Sequence, residues 1–154
     1  DVSGDTSGGQ GVSLDLQGTA GLRQARLRTN GTHSAESVFV RVANGSMIGS
    51  LVLEGEASSG ARAIFINCQT SGQIASARLA GRFRTRDAGL VAAQIMGPTD
   101  AAAPRASIVV AGLDTAGGTY GLRVDSRADV KGAAVAFLAG ATAGTIALTG
   151  ATIN

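Results

Sequence analysis

The chain predicts an all-β fold: a parallel β-helix (β-solenoid) with about 26 residues per coil and five to six coils. Two observations carry that expectation. Apolar residues return every 26 positions, at Val12, Val38, Ile64 and Leu90, and two residues on at Leu14, Val40, Ile66 and Ala92. Leu22, Ile48 and Ile74 form a third column, and Leu27, Leu53 and Leu79 a fourth. A fixed period of this size, with apolar and polar residues alternating inside each repeat, is the signature of stacked β coils. The charges supply the second observation. Residues one coil apart would lie about 4.8 Å apart on one face, where like charges repel and opposite charges help slightly. At that step Glu36 meets Arg62, Glu54 meets Arg28, Glu56 meets Arg82 and Asp15 meets Arg41.

Taken in order, residues 1–11 are small and polar, with Gly4, Gly8, Gly9 and Gly11, and read as a flexible lead-in. The solenoid domain is expected over 12–154. Val12, Leu14 and Leu16 alternate with Ser13, Asp15 and Gln17, giving a strand with one buried face. Gly18 to Gly21 turns a corner, and Leu22, Ala25 and Leu27 then point inward with Arg23, Arg26 and Arg28 outside. Asn30-Gly31 reads as the next turn, since both residues tolerate the left-handed conformation. The second coil repeats the plan with Val38, Val40, Val42, a corner at Asn44-Gly45, then Ile48, Leu51 and Leu53. The third has Ile64, Ile66, Cys68, a corner at Ser71-Gly72, then Ile74, Ala77 and Leu79.

The fourth coil departs from the pattern. Both prolines fall at Pro98 and Pro104, and proline cannot donate to a central ladder. A loop insertion over 97–105 is therefore expected, with Ile108 and Val110 in the strand that follows it. With six extra residues the period resumes, from Leu90 to Leu122 and then to Leu148. Leu122, Val124, Val130, Val135 and Phe137 supply the fifth coil, and Ile146, Leu148 and Ile153 begin a sixth. No stretch shows a 3.6-residue apolar period with caps.

Composition narrows the function. The 154 residues suffice for one domain with a core. With 23 glycines, no tryptophan, one tyrosine and four phenylalanines, the core must be built from Ala, Val, Leu and Ile. That suits a narrow solenoid and suits an aromatic binding platform poorly. A formal net charge of +2 is weak for a nucleic-acid binder, so no nucleic-acid partner is expected. No apolar run reaches the length of a membrane span. Residue 1 is not Met, so the chain reads as a processed product or part of something longer. Cys68, the single cysteine, continues the column Leu16, Val42 and reads as a buried apolar residue. His33, the single histidine, sits beside Asn30-Gly31 and reads as a solvated corner. One His and one Cys exclude a structural zinc site, and neither a metal nor another cofactor is expected.

Candidate chemistry is sparse, and no catalytic residue is assigned. Asn30-Gly31-Thr32 and Asn44-Gly45-Ser46 match the glycosylation acceptor pattern, but both read first as Asn-Gly corners. Gly117 to Gly121 is glycine-rich but precedes a strand, whereas a phosphate cradle needs helix amides. Glu54 and Glu56 share a face as a glycan-cleaving pair would, yet each has an arginine in register. Asp125 and Asp129, with Arg123 and Arg127 interleaved, are the best acidic group on offer and read first as a solvated turn. Asp87 and Asp100 would join them only if the loop folded back. Arg78, Arg82, Arg84 and Arg86 alternate outward along one strand edge and read first as a charged solvent face, second as a contact surface for an acidic partner or glycan.

Stacked strands with Gly or Asn corners and inward Val, Ile and Leu ladders resemble the right-handed parallel β-helix superfamily. The resemblance covers roughly residues 12 to 154 and is architectural. It implies phage tail spikes, other virion fibre parts, surface adhesins, or polysaccharide lyases and hydrolases. The enzymes of that group have more coils, long substrate loops and aromatic sugar platforms, and the resemblance also lacks capping helices here. A non-enzymatic structural or adhesive module of a virion or cell surface is therefore expected first. A fragment of a polysaccharide-degrading spike using Asp125 and Asp129 comes second, and an autotransporter-like adhesin passenger third. Both ends of a solenoid need cover, so a homo-oligomer, with a trimer favoured, or neighbouring virion subunits are the expected partners.

Overall fold

The computed structural model describes residues 2–5, 9–87, 91–96, 106–116, 120–125, 133–137, 146–149 and 151–153, with side chains over 9–87 and 93–96. Every regular element among them is a strand: β1 (Val2–Asp5), β2 (Val12–Leu16), β3 (Gly21–His33), β4 (Val38–Ala43), β5 (Met47–Ser59), β6 (Ile64–Gln69), β7 (Gln73–Thr85), β8 (Val91–Met96), β9 (Ala106–Ala116), β10 (Tyr120–Asp125), β11 (Ala133–Phe137), β12 (Ile146–Thr149) and β13 (Ala151–Ile153). Odd-numbered strands form one sheet in the order β1-β3-β5-β7-β9-β11-β13, and even-numbered strands a second, β12-β10-β8-β6-β4-β2. All pairings are parallel. The chain thus alternates between two sheets and climbs one strand per circuit, as a β-solenoid does.

Three turns repeat at the expected period. Val12, Val38 and Ile64 are paired in register, as are Leu16, Val42 and Cys68 on the same sheet. Leu22, Ile48 and Ile74, and then Leu27, Leu53 and Leu79, are paired on the other. These columns meet between the sheets. Val38, Val40, Val42, Ile48, Leu51, Leu53, Ile64, Ile66, Leu79 and Phe83 are fully shielded from water. Burying each such side chain contributes about 1.5–3 kcal/mol, the main force holding the sheets together. A one-residue slip would turn a whole column outward, so the interior also fixes the register. Cys68 is buried among these residues, and burial pushes its thiol pKa up to about 12.

The corners obey the same period. Gly18, Asn44 and Thr70 stand one turn apart, and each has a positive φ, of 75°, 56° and 55°. The conformation recurs, while its occupant changes from Gly to Asn to Thr. The third corner is therefore centred on Thr70, one residue before the Ser71-Gly72 pair that composition suggests.

Four expectations need correcting. Ile64 is paired with Ala93 and Ile66 with Ile95, a step of 29, so Leu90 and Ala92 are not the next members of their columns. Seven residues separate Thr85 from Ala93 where four separate Ser59 from Ile64, which puts the first irregularity before β8. The next step, Ala93 to Leu122, is also 29, and Leu122 then pairs with Ile146, leaving Leu148 beside Val124. Second, Asn30-Gly31 is no turn but lies inside the 13-residue strand β3. Third, His33 is completely buried rather than solvated, because alternation from Leu27 and Thr29 carries on to the end of β3. Its Nε2 lies 3.2 Å from Thr29 Oγ1, and Ser59 and Thr85 follow it in register. Those hydroxyls donate to the carbonyls of Ala35 and Ala61, the same contact one turn apart. Fourth, Glu54 faces Arg28 in register, yet its ion pair at 3.9 Å is with Arg26.

Within the 1–11 segment, Val2–Asp5 pairs with Leu27–Asn30 of β3 through main-chain groups, which needs no apolar side chains. The 97–105 insertion lies outside the described residues. Ile108 and Val110 do fall in a strand, β9, in register with Ala77 and Leu79.

Candidate binding groove

The two sheets present different outer faces. On the short-strand sheet each described cation is occupied. Arg41 holds Asp15 through both carboxylate oxygens, its Nε donating at 2.9 Å, and this hydrogen bond lowers the Asp15 pKa and raises that of Arg41. Arg62 lies over the Phe65 ring at 3.6 Å, reaches Glu36 at 3.5 Å and donates to Gln94 at 2.9 Å. Phe65 in turn packs on Phe39 with ring centroids 5.8 Å apart. This face is closed on itself.

The long-strand sheet is built otherwise. Its outward columns run Arg26–Val52–Arg78, Arg28–Glu54, Asn30–Glu56–Arg82 and Thr32–Ser58–Arg84. Glycines of unusual conformation lie within the strands beside these columns. Gly55 and Gly81, one turn apart, have φ of 143° and 109°, outside what a residue with a Cβ adopts in a strand. Two open depressions lie here across β3, β5 and β7. The larger, about 660 Å³, is lined by Arg28, Asn30, Glu54, Gly55, Glu56 and Gly81. The smaller, about 290 Å³, adjoins it through Glu56 and is bounded by Thr32, Ser58, Arg82 and Arg84. Together they form a groove that runs along the strands and spans three turns.

Two of its cations are engaged: Arg26 with Glu54, and Arg82 with Glu56, both at 3.9 Å. Arg28, Arg78 and Arg84 are exposed, and none forms an ion pair among the described residues. Arg86, past the end of β7, donates to the His33 carbonyl at 2.9 Å and so ties the third turn to the first. Of the arginines singled out in the sequence, Arg78, Arg82 and Arg84 therefore share this outer face, while Arg86 has a structural bond. Asp125 ends β10 in register with Met96 and Thr149. Asp129 and Asp100 lie outside the described residues, and Asp87 is exposed with its amide bonded to Thr85 Oγ1 at 3.2 Å.

Sequence reasoning missed Asn30, Gly55 and Gly81 as groove residues, because Asn30-Gly31 looked like a chain reversal. The available signal was the repetition of Gly55 and Gly81 at the period, the first between Glu54 and Glu56 and the second beside Arg82. No family model, no curated protein and no solved structure matches the chain.

Proposed function

We propose that this chain is a non-enzymatic structural and adhesive module of a virion or cell surface, with the long-strand face as its contact surface for an acidic partner or glycan. One observation carries the reading: Arg28, Arg78 and Arg84 stand exposed and without ion pairs among the described residues, beside an open groove. Guanidinium groups match carboxylates and sulfates through paired N–H donors. The two glutamates of the groove each face a guanidinium, an arrangement suited to holding hydroxyl-rich polymer rather than cleaving it. The architectural resemblance to tail spikes, virion fibres and adhesins supports the same assignment by analogy. As partners we propose further copies of the chain, in a trimer first, or neighbouring virion subunits. In support, β2 pairs only with β4 among the described residues, and an open strand edge recruits another strand.

Retention on an immobilised sulfated polysaccharide tests the contact surface. Wild-type protein should be retained and should elute as salt screens the contact. Arg28→Ser combined with Arg84→Ser should elute clearly earlier, while Arg41→Ser, on the opposite face, should elute as wild type. Equal elution of all three would overturn the assignment of the groove. Release of reducing ends from polysaccharide would overturn the non-enzymatic reading.

A further inference from the structure

We infer that Asn44 is a site of spontaneous covalent modification, converting through a cyclic imide to aspartate and isoaspartate, while Asn30, in the same Asn-Gly dipeptide, is protected. The inference is independent of the proposed adhesive role. Both asparagines precede glycine, whose missing Cβ leaves the following amide nitrogen open to approach the side chain. In the reaction the Gly45 nitrogen attacks Asn44 Cγ and a C–N bond forms. The Cγ–Nδ2 bond breaks, and the displaced nitrogen leaves as ammonia, taking up the amide proton. Water then opens the five-membered imide at either carbonyl, restoring an α-linked aspartate or leaving a β-linked isoaspartate. No oxidant, reductant or enzyme enters the balance.

The fold separates the two sites. Asn44 is exposed at the corner between β4 and β5, and its side chain has no hydrogen-bond partner among the described residues. The turn itself is closed by Ser46 N–H to the Ala43 carbonyl at 3.1 Å, and Ser46 Oγ donates to the Gly18 carbonyl at 2.9 Å, so the hold is on Ser46. Around Gly45 there is room, with the nearest atoms to an added Cβ at 3.9 Å. The nitrogen can therefore reach Cγ by a local movement of the turn. Asn30 lies inside β3, in register with Glu56, and its Oδ1 accepts the Glu56 amide hydrogen at 3.1 Å. Gly31 is in register with Ala57 in the same ladder. Bringing the Gly31 nitrogen to Asn30 Cγ requires opening the pairing of β3 with β5. Each conversion at Asn44 adds a negative charge to the corner, and the isoaspartyl product also adds a backbone methylene where the left-handed column of Gly18, Asn44 and Thr70 passes.

The test is peptide mapping by mass spectrometry after incubating the folded protein at mildly alkaline pH, with isoaspartyl methyltransferase labelling to distinguish the products. The Asn44 peptide should gain the mass of an amide-to-acid change at least about tenfold faster than the Asn30 peptide, the ratio given by a 1.4 kcal/mol cost of opening the ladder. In denaturant the two peptides should convert at similar rates. Asn44→Gly, which copies Gly18 one turn earlier, should keep the fold and abolish labelling of the corner peptide. Equal rates in the folded protein, or an Asn44 peptide that stays unchanged while the denatured chain converts, would overturn the inference.

Discussion

Replacing Gly55 with alanine tests whether close backbone approach shapes the groove. An added Cβ would stand 2.9 Å from the carbonyl carbon and 3.2 Å from the nitrogen of Thr29, with the Thr29 oxygen nearer still. Ordinary contact begins at 3.4 Å, and all three atoms are main chain of the neighbouring strand, so no side chain can swing aside. The φ of 143° adds conformational strain of about 1–3 kcal/mol. Pushing β3 away from β5 also weakens the ladder bonds on either side of Thr29, at about 1 kcal/mol each. The expected loss is about 3–5 kcal/mol, in the range that marks a specific structural insult. Gly18→Ala is the control. Its φ is 75°, but nothing lies within 4 Å of the added Cβ, so only the left-handed cost of about 1–2 kcal/mol remains. Urea unfolding followed by circular dichroism measures both, with the slope held common. If Gly55→Ala and Gly18→Ala lose the same stability, the close approach of β5 to β3 is not what demands glycine.

Two further outcomes follow from the corner and the core. Thr70→Asn should stabilise the chain by about 1 kcal/mol, because an exposed β-branched residue at φ 55° gives way to the residue that occupies the same place one turn earlier. A loss of stability in urea unfolding would show that the Thr70 side chain makes a contact the corner needs. Cys68 should shape the alkaline limb of stability. Its folded pKa of about 12 exceeds the ordinary 9.0, so the folded state keeps the thiol proton that the unfolded chain releases. The contribution is complete below pH 9 and declines as pH rises from there toward 12. Cys68→Val, matching Val42 in the column, should show a shallower decline, and an unchanged one would place the titration elsewhere.

The interior was legible in the sequence because the buried columns obey two periods at once, one along each strand and one between turns. Val12, Val38 and Ile64 satisfy both, and a one-residue slip would turn one of them outward. Past Thr85 that redundancy fails. Leu90 and Ala92 fit one phase and Ala93 and Ile95 the other, so residue type alone does not locate the extra three residues. His33 shows a different limit. A polar residue beside Asn-Gly looks like surface, and only its parity with Leu27 and Thr29 places it inside, where Thr29 Oγ1 meets its ring. The groove was half legible. Its charges were visible as outward positions, but nothing in the residue pattern marked Gly55 and Gly81 as positions of positive φ within their strands.

The energetic division between interior and surface bears on what the groove is for. Exposed ion pairs such as Arg82 with Glu56, at 3.9 Å and both more than half exposed, contribute about 0–1 kcal/mol. The buried Leu53 and Leu79 in the same strands each contribute about 1.5–3 kcal/mol. Stability therefore does not require arginine on the outer face, and it gives no reason for Arg28, Arg78 and Arg84 to stand without ion pairs among the described residues. On the short-strand sheet, where Arg41 and Arg62 cover their neighbours, the cations are accounted for by the contacts they make. Arg28, Arg78 and Arg84 have no such account in the fold. A column position on this face can change its charge without disturbing the register, since the alternating interior residues hold it. The charges of the groove can thus vary on a fixed scaffold, as the proposed contact surface would need and a structural rod alone would not.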